Sequence, residues 1–77
     1  MPRIDDRFTV PQFGRNLRAV RDKAGLTQKQ LGEMVGLTQK HISELESGHA
    51  DPRLAVAMAL ADALGVSVKK FGTVFLN

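Results

Sequence analysis

The segment LTQKQLGEMVGLTQKHISELESG, residues 26–48, contains the tetrapeptide LTQK twice, eleven residues apart. Each copy places a threonine, a preferred helix N-cap, before two long polar residues that suit a first helical turn. Glycines stand at positions 36 and 48, where a helix end needs a residue that tolerates the left-handed conformation. A period of eleven is too short for solenoid repeats, which span roughly 20 to 50 residues. The repeat therefore predicts two short consecutive helices.

A longer helix is predicted before this segment. Apolar residues recur every three or four positions from Phe13 to Ala24, which is the pattern of a helix with one buried face. Pro11 suits the first helical position, and Gly25 suits the position after the last one. The stretch is therefore expected to pack one face against the two short helices.

The fourth predicted helix is almost entirely apolar. Asp51 and Pro52 are expected to open it as an N-cap and a first-turn residue. Residues 54–65, LAVAMALADALG, then contain one charged residue, Asp62. A helix that is apolar on nearly all sides is buried on nearly all sides. In so small a chain it is either the central helix of the bundle or a helix that also meets a partner.

The end of the chain completes the predicted architecture. Ser67 is expected to cap a last short helix that runs through Phe71, whereas the sequence GTVFLN at the C-terminus has no clear assignment. Five helices joined by tight turns predict a compact all-α domain. The expected division is a flexible N-terminal arm over residues 1–10, a helical domain over 11–71 and a C-terminal tail over 72–77.

Composition excludes several classes of function. The 77 residues fit one domain, and they include no cysteine, so disulfides, thiol catalysis and thiolate metal sites are excluded. No stretch approaches the roughly 18 consecutive apolar residues that a membrane span needs. The chain is therefore expected to be cytoplasmic, with no membrane association.

The charge and the few reactive side chains limit the possible functions further. A net charge of +3 favours an anionic partner only weakly, since the basic residues could equally form a solvated helix surface. The two histidines lack the spacing of metal ligands. His41 and Ser43 stand two residues apart on a helix, which aims them in different directions, so no hydrolytic triad is expected. We therefore predict no catalytic residue, no metal and no cofactor.

The two short helices meet the physical requirements of a helix-turn-helix unit. Gly36 supplies the positive φ of the turn, and Gly32 leaves room for the two helices to approach closely. Leu37 in the turn, with Ile42 and Leu45 on the second helix, would fix that helix against the body of the domain. The remaining face of the second helix would then point outward.

On these residues, the sequence resembles the lambda-repressor-like, or Xre, family of helix-turn-helix DNA-binding domains. The resemblance covers roughly residues 11–71. One departure is Gly32, where the family usually has alanine. The matching residues are Leu26, Thr27, Gln28, Leu31, Gly36, Leu37, Thr38, Ile42, Ser43, Leu45, Glu46, Gly48, Pro52 and the segment ALADALGVSV, residues 59–68.

The resemblance implies that the second short helix is a recognition helix that reads DNA bases. Gln39 would lie at its groove end, where glutamine can pair with both N6 and N7 of adenine. Lys40 would read guanine or hold a phosphate. His41, Ser43 and Glu44 point to the same side, and for His41 and Glu44 a base contact and a purely solvated position are both open.

The same resemblance implies contacts to the DNA backbone and one internal pair. Gln28 would touch a phosphate and support the start of the recognition helix, and main-chain amides at the two threonine caps would favour phosphate. Arg21 and Glu46 would pair across the domain as a structural tie. The full set of expected backbone contacts is Thr27, Gln28, Lys29, Thr38, Ser47, His49 and Arg53.

The implied function is a sequence-specific regulator of transcription that binds double-stranded DNA, most simply a repressor that acts as a homodimer on a palindrome. Surplus apolar residues near the C-terminus suggest the dimer interface. The alternative is that the tail folds back over the first helix. The expected interface residues are Val66, Val68, Phe71, Val74, Phe75 and Leu76.

A second interpretation stays open at this point. Antitoxins of toxin–antitoxin pairs, including the HipB type, use this domain with an apolar C-terminal segment. Such a protein would bind its own operator, but its main partner would be a toxin protein. A phage repressor and a restriction-system controller are further versions of the DNA-binding interpretation, whereas an enzyme is not expected.

Overall fold

The computed structural model describes residues 10–72, and these residues form helices joined by short turns, with no strand among them. The all-helical prediction is confirmed for this part of the chain. The fifth predicted helix is one 3-10 turn, so the described bundle has four α-helices. The elements are α1 (Val10–Lys23), α2 (Gln28–Val35), α3 (Gln39–Ser47), α4 (Leu54–Leu64) and the 3-10 helix Val68–Phe71.

The repeated tetrapeptide marks two helix starts, as its sequence predicts. The Thr27 hydroxyl accepts a hydrogen bond from the Gln30 amide at 3.0 Å, and the Thr27 amide donates to the Gln30 side chain at 2.8 Å. This reciprocal pair is a capping box. Thr38 caps α3 by accepting from the His41 amide at 3.0 Å. Each cap satisfies amides that a helix start leaves without an intrahelical partner.

The predicted start of the fourth helix is wrong by a few residues. Helix α4 begins at Leu54, and Arg53 occupies its N-cap position without a side-chain hydrogen bond to the helix. The residues after α3 still bond to that helix: the amides of His49 and Ala50 both donate to the Glu44 carbonyl, at 2.9 and 3.2 Å. The intervening residues, including Pro52, are therefore connecting chain.

Among residues 10–72, the core is aliphatic apart from one aromatic pair. Phe13 of α1 and Phe71 of the 3-10 helix are both fully buried, and their rings meet edge to face with centroids 5.3 Å apart. The Asn16 side chain also donates to the Phe71 carbonyl at 3.3 Å. The buried apolar residues are Phe13, Leu17, Leu31, Ile42, Leu45, Ala57, Leu60, Ala61 and Phe71.

Phe71 was therefore misplaced by the prediction that it belongs to a dimer interface. The 3-10 helix packs against α1, which is the folded-back alternative, and full burial leaves Phe71 no surface for a partner. Val66 and Val68 are half-buried at the edge of the core. The other three predicted interface residues, Val74, Phe75 and Leu76, lie outside the described residues.

Two glycines allow the helices to approach closely. A β-carbon at Gly32 would lie 2.5 Å from the Leu37 carbonyl oxygen, so the small residue expected at this point is required. A β-carbon at Gly14 would overlap the carbonyl oxygens of Leu45 and Glu46, where α1 crosses α3. Gly14 is not among the residues predicted from the sequence, although a glycine inside a helix costs about 1 kcal/mol relative to alanine and so hints at a close approach.

We expect Gly14→Ala to destabilise the fold by about 1–3 kcal/mol, because the added methyl group must push α1 away from α3. The higher helix propensity of alanine, worth about 1 kcal/mol, would offset only part of this loss. Urea denaturation monitored by circular dichroism measures the change. Arg15→Ala, at the neighbouring exposed position, is the control and should be nearly neutral. Equal stability of the two variants would contradict the close crossing.

Candidate nucleic-acid interface

The turn between α2 and α3 has the geometry that the sequence predicts. Gly36 has φ 76° and ψ 26°, a left-handed conformation in which its amide and that of Leu37 both reach the Gly32 carbonyl. The side chain of Leu37 is half-buried and packs against the core. The turn is thus closed by main-chain hydrogen bonds and anchored by one apolar side chain, which fixes the angle between the two helices.

Helix α3 has one face inside the protein and one face in solvent. Ile42, Leu45 and Glu46 are buried. Of the outward residues, Gln39, Lys40, Ser43 and Ser47 are exposed, whereas His41 and Glu44 are half-buried. The first turn of α3 therefore presents an amide and an ammonium group to solvent beside the capped helix N-terminus, where groups with lone pairs or negative charge are favoured.

A buried ion pair holds the last turn of α3 against α1. The guanidinium of Arg21 donates to both carboxylate oxygens of Glu46, from Nε at 2.5 Å and from Nη2 at 3.0 Å. The side chains are only 10% and 4% exposed. The hydrogen bond to Glu46 raises the pKa of Arg21 above its ordinary value; burial opposes this, while the charges of Glu46 and Asp22 add to it. Two parallel bonds of this kind fix distance and orientation together.

The pair also reaches the start of α2. Arg21 Nη1 donates to the Leu26 carbonyl at 2.7 Å, and Gln28 Nε2 donates to Glu46 Oε1 at 3.0 Å. Gln28 was expected to support the start of the recognition helix, and the structure gives it a contact with the last turn of α3 instead. Because a primary amide has two N–H donors, one donor of Gln28 is left over after this bond.

The other residues predicted to contact the DNA backbone lie on α2, on α3 and in the segments next to these helices. Lys29 is exposed on the first turn of α2, and Arg53 is exposed at the position before α4. The capping threonines are exposed as well. Ser47 and His49 lie at the C-terminal end of α3 and contact each other, with Ser47 Oγ 2.7 Å from His49 Nδ1. No sequence motif predicts a contact between these two residues.

Other kinds of site receive no support within residues 10–72. No group of three or more histidine, aspartate or glutamate side chains comes together there as metal ligands would. No helix in the same range has the length and apolar character needed to cross a membrane. The candidate site consists of the outward face of α3 and the two capped helix starts, which the exposure of α3 and the caps define.

Comparison with known proteins assigns the family. The model of the helix-turn-helix family HTH_3 matches residues 17–71, most of the chain, and the chain therefore belongs to this family. This is the family that the sequence resemblance indicated, and several structural neighbours of the chain are regulators of transcription.

Individual relatives agree with this assignment. The propionyl-CoA carboxylase regulator of Cereibacter sphaeroides is 38% identical over 60 residues, but the chain spans only 13% of that protein. The restriction-modification controller protein C.AhdI of Aeromonas hydrophila is similar in structure, with a TM-score of 0.78, 29% identity and coverage of 80% of this chain and 94% of that one. The P22 c2 repressor, solved with a synthetic operator, has a TM-score of 0.71 and 34% identity over 77% of this chain and 89% of its own.

Removal of one partner of the ion pair should destabilise the contact between α1 and α3 strongly. We expect Arg21→Met to lower the free energy of unfolding by about 3 kcal/mol, because it leaves the Glu46 carboxylate buried without its partner. The double variant Arg21→Met, Glu46→Leu should recover part of this loss, since it removes both charges. Chemical denaturation of the three proteins measures the coupling.

Arg18→Met is the matched control for this experiment. Arg18 also faces a carboxylate, Asp22, at 3.9 Å, but both side chains are mostly exposed. Loss of such a surface pair costs less than about 1 kcal/mol. Equal effects of Arg18→Met and Arg21→Met would contradict a structural role for the buried pair.

Proposed function

We propose that this chain is a sequence-specific regulator that binds double-stranded DNA as a dimer and represses transcription from a palindromic operator in the cytoplasm. The observation that carries the proposal is the exposure of the first turn of α3 on a helix whose opposite face is buried. A helix held in this way can enter the major groove without any rearrangement of the domain. The repressor role is favoured by the structural likeness to the P22 c2 repressor.

Base recognition is assigned to the outward residues of α3. Gln39 and Lys40 are exposed and begin the helix, so they would reach deepest into the groove. The glutamine amide can pair with adenine, and the lysine can donate to guanine or to a phosphate. Ser43 is exposed one turn later, and the half-buried His41 and Glu44 would contribute at the edges of the same surface.

Phosphate contacts would position α3 without reading sequence. Gln28 supports this role, because its bond to Glu46 fixes the side chain while one N–H donor remains available. The amides at the capped starts of α2 and α3 suit an anionic oxygen. Lys29 and Arg53 add positive charge, so affinity should fall steeply as salt rises.

Selection from a random duplex pool at roughly physiological salt tests this proposal. We expect enrichment of a palindrome with half-sites about one helical turn apart, because two copies related by symmetry place their α3 helices in successive major grooves. Gln39→Ala should lose preference at one base position in each half-site. Lys29→Ala should weaken all duplexes alike and lower the salt dependence by about one phosphate contact.

Lys69 is an exposed lysine on the 3-10 helix, and Lys69→Ala is the matched control. It should change neither the base preference nor the salt dependence of binding. Failure to enrich any sequence would contradict the proposal and would favour the interpretation in which a toxin protein is the main partner.

The proposed dimer would use the outer face of α4. Met58 is 55% exposed and Leu54 is 48% exposed. The nearly all-apolar helix α4 therefore leaves two large apolar side chains in solvent. Met58 also lines a groove of about 330 Å³ with the half-buried Val66 and Val68. A second copy of the chain would cover this apolar surface, and the two predicted interface valines would take part at its edge.

We expect Met58→Lys to shift the protein toward monomer in sedimentation equilibrium, because a lysine at the interface would have to lose its hydration. Met34→Lys is the matched control, since Met34 is 54% exposed on a different helix, α2. An unchanged distribution of species in Met58→Lys would exclude this face of α4 as the interface.

A further inference from the structure

The C-terminal end of α3 contains a hydrogen-bonded serine and histidine. The hydroxyl oxygen of Ser47 lies 2.7 Å from Nδ1 of His49, and it also lies 3.3 Å from the Glu44 carbonyl oxygen. A serine hydroxyl has one proton and can donate it to only one of these two acceptors. The choice decides which ring nitrogen of a neutral His49 carries the proton.

The Glu44 carbonyl is already occupied. It accepts hydrogen bonds from the amides of Gly48, His49 and Ala50, the last two at 2.9 and 3.2 Å. A carbonyl oxygen has two lone pairs, so a fourth donor at 3.3 Å gains little. The Ser47 proton is therefore directed to His49 Nδ1, whose 2.7 Å separation is typical of a strong bond from a hydroxyl.

We propose that Ser47 is a positioning residue that holds the neutral His49 in the tautomer with its proton on Nε2. The outer edge of the ring then presents an N–H donor to solvent. Since phosphate oxygens only accept hydrogen bonds, this tautomer suits a contact to the DNA backbone, whereas the other tautomer would direct a lone pair at the phosphate. This inference rests on the proposed function for its ligand, but the tautomer itself is independent of DNA.

Long-range ¹H–¹⁵N NMR of the free protein at about pH 8, where imidazole side chains are neutral, reads the tautomer directly. We expect a pyridine-like Nδ1 and a protonated Nε2 in His49. Ser47→Ala should move both nitrogen shifts toward the average of a mixture, and Ser47→Thr should retain the original pattern because it keeps the hydroxyl. His41 is the internal reference and should not change. A protonated Nδ1 in the unaltered protein would overturn the inference.

The DNA contact is tested with a duplex recovered by the selection and with an unrelated duplex. In a mixture of tautomers only part of the population presents the Nε2–H donor, which predicts a fall in affinity of about 2-fold for Ser47→Ala on both duplexes, with recovery in Ser47→Thr. Unchanged affinity of Ser47→Ala would overturn the role of Ser47 in the contact. If the unaltered protein bound neither duplex, the proposed function would fail, while the NMR experiment would still decide the tautomer.

Discussion

The arrangement of the helix-turn-helix unit depends on the bidentate ion pair between Arg21 and Glu46. Through it, the end of α1, the carbonyl of Leu26 before α2, the side chain of Gln28 and the last turn of α3 are joined in one hydrogen-bonded group. The first turn of α3 is thereby left free of internal contacts with this group. A helix fixed at one end and exposed at the other is suited to present side chains to a ligand.

The ion pair and the apolar packing act in different ways. Removing two charges from water is costly, and a buried pair of this kind contributes little to stability compared with apolar residues of the same size. Its value here is geometric, because the fork of the guanidinium accepts one orientation of the carboxylate. Gly14 complements it by allowing α1 and α3 to cross in contact, so the pair meets at hydrogen-bond distance.

The local features of this fold were accessible from the sequence, and the non-local ones were much less so. Thr27, Thr38 and Gly36 act within one helical turn, so spacing alone predicted both helix starts and the turn. Phe71 was assigned to the wrong surface, because the position of the 3-10 helix depends on packing against Phe13, 58 residues earlier in the chain. The close contact at Gly14 likewise depends on how α1 crosses α3. The link from Ser47 to His49 spans only two residues, but it depends on side-chain rotamers that residue spacing does not give. The exposed face of α3 followed from its buried face, but which residues touch DNA is a property of the complex.

The capped starts of α2 and α3 are proposed to form the surface that meets DNA. Amide NMR of ¹⁵N-labelled protein, titrated with a duplex, locates this surface. We expect the largest shift changes on the first turns of α2 and α3 and on the loop that contains His49. A second group of positive charges lies elsewhere, where Lys23 at the end of α1 and Lys70 of the 3-10 helix line one groove. Shift changes confined to that groove, with α3 unaffected, would show that DNA meets another surface.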